Sequence, residues 1–110
     1  MALATFLHEQ IHWFAAAHSE AVQTAISDLR SLHPEVPTGF PEGAHNEHST
    51  YLHLIINYLE YAALQKVLRR EAARHVMEFR CQDLYTWIYR TVLKDADSVR
   101  TVLTRHGLVI

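Results

Sequence analysis

The stretch Thr5-Phe-Leu-His-Glu-Gln-Ile-His-Trp-Phe14 decides how the chain is read. It holds neither Gly nor Pro, and Leu7, Ile11 and Phe14 recur at steps of four and three, the period of a helix with one buried side. On such a helix His8 and His12 stand one turn apart on one face, so both imidazoles can aim at one point. Glu9 follows His8 by about 100° of rotation and flanks that point. Two neutral imidazoles, an open position for water and a nearby carboxylate to take the water's proton are what metal-assisted hydrolysis requires. Without a metal, the same residues are two solvated histidines on a surface helix.

Working outward, the apolar stripe continues through His18, Ala21, Ala25, Leu29 and Leu32. It predicts one long amphipathic helix over about 2–32, ended at or before His33 by Pro34. His8, His12, Ala15 and Ser19 form the row beside that stripe, close to the interior. Residues 33–48 read as a loop punctuated by Pro34, Pro37, Gly39, Pro41 and Gly43. Loops this long are often functional, and this one carries Phe40, His45 and His48. A plain connection between helices explains it equally well.

Ser49 or Thr50 is expected to cap a second helix over about 49–80, with Leu52, Ile55, Leu59, Ala63 and Val67 as its apolar stripe. Beside that stripe His53, Asn57 and Glu60 face one way over roughly 10 Å of helix. Asp83 is expected to cap a helix over about 83–94, with Leu84, Trp87, Ile88 and Thr91 or Val92 inward. Asp97 is expected to cap a short helix over about 97–106, stopped by Gly107. The apolar tail Leu108–Ile110 should pack back on the core. The expected fold is a single all-α domain of three to four helices, two of them long, antiparallel and joined by the long loop.

Composition narrows the function classes. The chain has 110 residues, enough for one core, and only three Gly and three Pro, as suits helices. Through Gln65 there are seven acidic residues against one basic, and seven of the nine His. From Lys66 onward nine basic residues are interleaved with five acidic. An acidic, His-rich half suits a cation, and the mixed second half reads as a solvated helix face, so nucleic-acid binding is not expected. The lone Cys81 excludes an internal disulfide and fits a reducing, cytoplasmic setting. Neither a signal peptide nor an apolar run of membrane-spanning length is visible.

The run His8-Glu9-Gln10-Ile11-His12 matches HExxH, and the chain resembles the zincin metallopeptidases. The resemblance implies zinc as cofactor, His8 and His12 as ligands and Glu9 as the general base. Three candidates exist for a third ligand. His18 matches the spacing of the metzincins, but Ala15 stands where that family has Gly, and Ala15–Ala17 favours continuing the helix. His18 then points away from His8 and His12. Glu60, in Asn57-Tyr-Leu-Glu-Tyr-Ala-Ala-Leu64, resembles the gluzincin arrangement, in which a downstream helix supplies a Glu. Leu64 stands where gluzincins usually carry an acidic partner. The alternative for Glu60 is an interhelical salt bridge. His45 or His48 could also reach a metal from the loop.

The expected metal ligands are therefore His8, His12 and Glu60. Glu9 is the expected base, and His53 the expected group polarising a carbonyl or stabilising an oxyanion, with Tyr85 or Tyr89 as alternatives. Only seven residues precede His8, too few for the strand on which zincin proteases hold a peptide. The chain thus reads as a minimal zincin-like helical core. The function expected is zinc-dependent hydrolysis, of a peptide or protein first. The alternative is a non-catalytic metal-binding or dimerisation module. A homo-oligomer is compatible with both, and neither a nucleic acid nor a membrane is expected as a partner.

Overall fold

Six α-helices follow one another in the computed structural model, which describes residues 2–80 and 85–109, with side chains from Phe6 onward. They are α1 (Ala2–Ala17), α2 (Ser19–Leu32), α3 (Glu47–Val67), α4 (Arg70–Arg80), α5 (Thr86–Lys94) and α6 (Ala96–Arg105). No strand occurs among the described residues, only an isolated bridge between Thr38 and Ala44. No helix among them is long and apolar enough to cross a membrane.

The all-α expectation holds, but three to four helices become six because each long helix is broken without Gly or Pro. The first break is at His18 (φ −122°, ψ 41°). Its backbone N–H turns to Ala15 at 3.1 Å, and its ring Nδ1 donates to the Phe14 carbonyl at 2.9 Å. The imidazole thus satisfies a carbonyl that the end of α1 leaves without a helical partner. His18 is exposed rather than part of the core stripe. The second break is at Leu68, which is extended (φ −122°, ψ 163°).

The axis of the domain is α3, which packs against each of the other five helices. From Thr50 to Leu64 it is buried nearly all round, with only Leu52, Tyr58 and Ala62 half-buried. A helix this apolar on every side needs neighbours on every side. Its N-cap is Asn46, whose side chain accepts from the Ser49 N–H at 2.8 Å, in place of the expected Ser49 or Thr50. Thr50 instead pins the loop: its hydroxyl accepts from Ala44 N–H (3.0 Å) and donates to the Pro37 carbonyl (2.9 Å). Gly43 makes this turn possible, since a Cβ there would lie 2.1 Å from the Pro37 oxygen.

The loop then reaches α5. The Pro41 and Glu42 carbonyls accept from the amides of Thr86 and Trp87, two of the amides that a helix start leaves without partners. The residue just before α5, Tyr85, is left-handed (φ 55°), a conformation uncommon for any residue but Gly. At the other end Gly107 (φ 73°) closes α6, and Leu108 folds back to bond Leu103 and is buried. Asp83, the expected cap of the penultimate helix, and Leu84, expected inward on it, lie outside the described residues. Helix α6 begins one residue before Asp97, which occupies its first turn rather than its cap.

Candidate metal centre

Helices α1 and α3 run antiparallel, and this sets which side chains meet. His8 lies against Glu60, while His12, one turn later, lies against His53, about two turns earlier on α3. His8, His12 and His53 each offer one ring nitrogen, and these three atoms all lie within 4.8 Å of one another. The ring centroids are 4.7 Å apart for His8–His12, 5.4 Å for His12–His53 and 6.2 Å for His8–His53. His8 and His12 are half-buried and His53 is buried, so the cluster sits at the edge of the core with one side towards solvent.

The hydrogen bonds behind the rings fix which nitrogens face inward. His53 Nδ1 donates to the Ser49 carbonyl at 2.8 Å, so its Nε2 carries a lone pair. His8 Nδ1 donates to Glu60 Oε2 at 2.8 Å, which leaves Nε2 free as well. His8 Nε2 and His12 Nε2 then stand 3.1 Å apart. Two lone pairs at this distance repel, so a proton or a metal ion has to lie between them. In a tetrahedral zinc site with bonds of about 2.0–2.1 Å, neighbouring nitrogens are about 3.3 Å apart. The His8–His12 pair already has that spacing. His53 completes the set with a movement of about 1.5 Å or less.

Electrostatics favours the metal-binding forms. Burial, followed by its neighbour His8, holds His12 below the usual imidazole range, although Glu9 opposes this. Burial lowers His53 too, against the raising effect of the Ser49 carbonyl. Both rings are therefore neutral at neutral pH, as ligation demands. Glu9 is exposed, close enough for its charge to act on His12.

Glu60 was expected as the third ligand, and the geometry puts it elsewhere. It is fully buried behind His8, with Oε2 on His8 Nδ1 and within 3.3 Å of the donating Tyr89 hydroxyl. Its other oxygen lies 2.8 Å from Arg80 Nε, an ion pair rather than an aligned hydrogen bond, since that N–H donates to the Tyr89 hydroxyl at 2.9 Å. A carboxylate buried here does require a cation, and Arg80 is one. Burial, then the Glu60 charge, pushes the Tyr89 phenol well up, so it remains a donor. Glu60 thus stands to His8 as a carboxylate partner that would orient the imidazole on a metal and raise its basicity.

His53, expected to act on a carbonyl, stands instead with His8 and His12 in the group that could hold a metal. Tyr85, the expected alternative for that role, lies with its ring 4.6 Å from that of His53, and Phe40 adds a further ring 5.7 Å beyond. His18, His45 and His48 lie outside the group: His18 caps α1, His45 is exposed, and His48 is exposed on α3 beside Gln23. Sequence reasoning missed Arg80. The available signal was that neither Val76 nor Met77, one turn back on α4, offers it a carboxylate.

The assignment separates a ligand from the residue behind it. Glu60→Gln, which keeps the shape and loses the charge, should weaken zinc binding by about 10–100-fold without abolishing it. Competition against a calibrated zinc chelator reads this directly. Complete loss of binding in that variant would return Glu60 to the metal.

No protein-family model, no curated protein and no solved structure matches the chain.

Proposed function

We propose that this protein is a zinc-dependent hydrolase with His8, His12 and His53 as ligands and Glu9 as general base. The carrying observation is the convergence of the three imidazoles, with the Nδ1 atoms of His8 and His53 each tied to an acceptor on α3. Three neutral His leave one tetrahedral position for water, and zinc acidifies a water held there. All-imidazole ligation also suits copper and nickel, so zinc rests on the HExxH resemblance and on the hydrolytic arrangement of Glu9.

Glu9 lies one residue along α1 from His8 on the solvent side, where it can accept the proton of a bound water and hand it to a leaving group. The exposed side chains of Phe6 and Trp13 flank Glu9 on the outer face of α1 and offer apolar surface to a substrate. A peptide amide is the first substrate class to test. With no strand among the described residues, a peptide would be held by side chains rather than by pairing with a sheet edge.

The test is metal-dependent turnover. Protein stripped with a chelator and reloaded with one zinc per chain should cleave members of a mixed peptide library, and stripped protein should not. Zinc that binds and raises the melting temperature without any turnover would leave the non-catalytic metal-binding module as the reading.

A further inference from the structure

A second feature lies on a different side of α3 from the metal centre. Tyr61 follows Glu60 by about 100° of helix rotation and so faces away from α1. Helices α3, α4, α5 and α6 enclose a half-open cleft of about 520 Å³ there, lined by Tyr58, Tyr61, Arg70, Arg74, Lys94 and Arg100 among others.

The charges are unbalanced. Arg70 and Arg74 are one turn apart on α4 and project from one face. Arg100 is held by Asp97 at 3.0 Å, and Arg74 is 3.9 Å from Glu78. Arg70 and Lys94 make no ion pair among the described residues. The two carboxylates at the cleft, Asp95 and Asp97, are both engaged, Asp95 with His33 at 3.2 Å and Asp97 with Arg100.

The cleft also holds a polar group that lacks a partner. Tyr61 lines the cleft, and its hydroxyl makes no hydrogen bond among the described residues. A hydroxyl placed so on the cleft wall is free to donate to or accept from a ligand. The start of α6 adds donors. Its cap Asp95 makes no side-chain capping bond, and the first amide of α6 bonded among the described residues is that of Val99. The Asp97 carboxylate in that first turn opposes an anion, but Arg100 offsets it.

We propose that this cleft binds a phosphorylated small molecule of about mononucleotide size. Guanidinium forks match phosphate oxygens two at a time, and three of the four cations are Arg. The volume lies within the range of small-molecule sites, about 300–1,000 Å³, and far exceeds a bare phosphate. Tyr58 and Tyr61 add aromatic surface beside the cations, which suits a phosphate ester carried on a flat ring.

The experiment is calorimetric titration of AMP into the zinc-loaded protein at low salt. The expected result is saturable one-to-one binding with Kd of about 0.1 mM or tighter. Arg70→Glu with Arg74→Glu should weaken it by at least about tenfold, and Tyr61→Phe several-fold, with helical content and zinc stoichiometry unchanged. Both arginines are exposed, so the double variant should fold. Chelator-treated protein should still bind AMP. Any one of four results overturns the proposal: no AMP binding at millimolar concentration; equal binding by the double variant; binding lost with the metal, which would put the phosphate on zinc; or inorganic phosphate or a mixed-sequence oligonucleotide binding more tightly than AMP.

Discussion

Replacing Glu9 by Gln is expected to lower kcat on a cleaved peptide by about 10²–10⁴-fold while zinc stoichiometry stays at one per chain. The two outcomes separate because the proposed mechanism gives Glu9 the proton of the bound water and no bond to the metal. Its side chain is exposed and makes no ion pair among the described residues, so the substitution should change stability by no more than about 0.5 kcal/mol. The amide of Gln keeps the size and polarity of the side chain but cannot accept the proton of a metal-bound water. Steady-state kinetics on a peptide selected from the library, beside metal analysis of the same preparation, reads both effects. Turnover by Glu9→Gln at the wild-type rate would remove Glu9 from the mechanism, whatever the metal does.

His53→Ala should have the largest effect on the metal. Removing one of three neutral nitrogen ligands is expected to weaken zinc binding by about a thousandfold or more, beyond the about 10–100-fold expected for a partner behind a ligand. The ring is buried, so the variant also loses packing and leaves the Ser49 carbonyl without its donor. A stability change alone therefore decides nothing. The discriminating readout is the rise in melting temperature on zinc addition, present in the wild type and absent in His53→Ala. A His53→Ala protein that still binds zinc with near wild-type affinity would mean that the third ligand lies elsewhere.

The helical class and the His8–His12 pair were legible because both depend on spacing within one continuous helix. The row His53, Asn57, Glu60 was legible for the same reason. What periodicity cannot supply is the vertical register between two helices. The sequence stripe puts His53 and Glu60 on one face, yet only packing decides that His12 meets His53 while His8 meets Glu60. A buried carboxylate at Glu60 needs a cation, and spacing alone does not say whether that cation is a metal or a side chain. Arg80 supplies that charge from a helix whose path depends on the break at Leu68, where no Gly or Pro marks the sequence. The break at His18 was hidden for a similar reason: Ala15–Ala17 are strong helix formers, and the imidazole ends the helix by taking a backbone carbonyl, which spacing does not reveal.

The division of the first long helix at His18 bears on how quickly an ion enters and leaves. Two of the three histidines ride on α1, which rests mainly on α3 and is bent off from α2 at the break. His53 and Glu60 are fixed in the central helix, behind Arg80 and Tyr89. Lifting α1 alone opens the coordination sphere and leaves the packing of α3 to α6 in place. Exchange of an ion held there would then follow a local opening rather than global unfolding, at a rate distinct from that at which the fold is lost. An ion bridging α1 and α3 would in turn act as a clasp on α1, so occupancy would govern how long α1 stays seated.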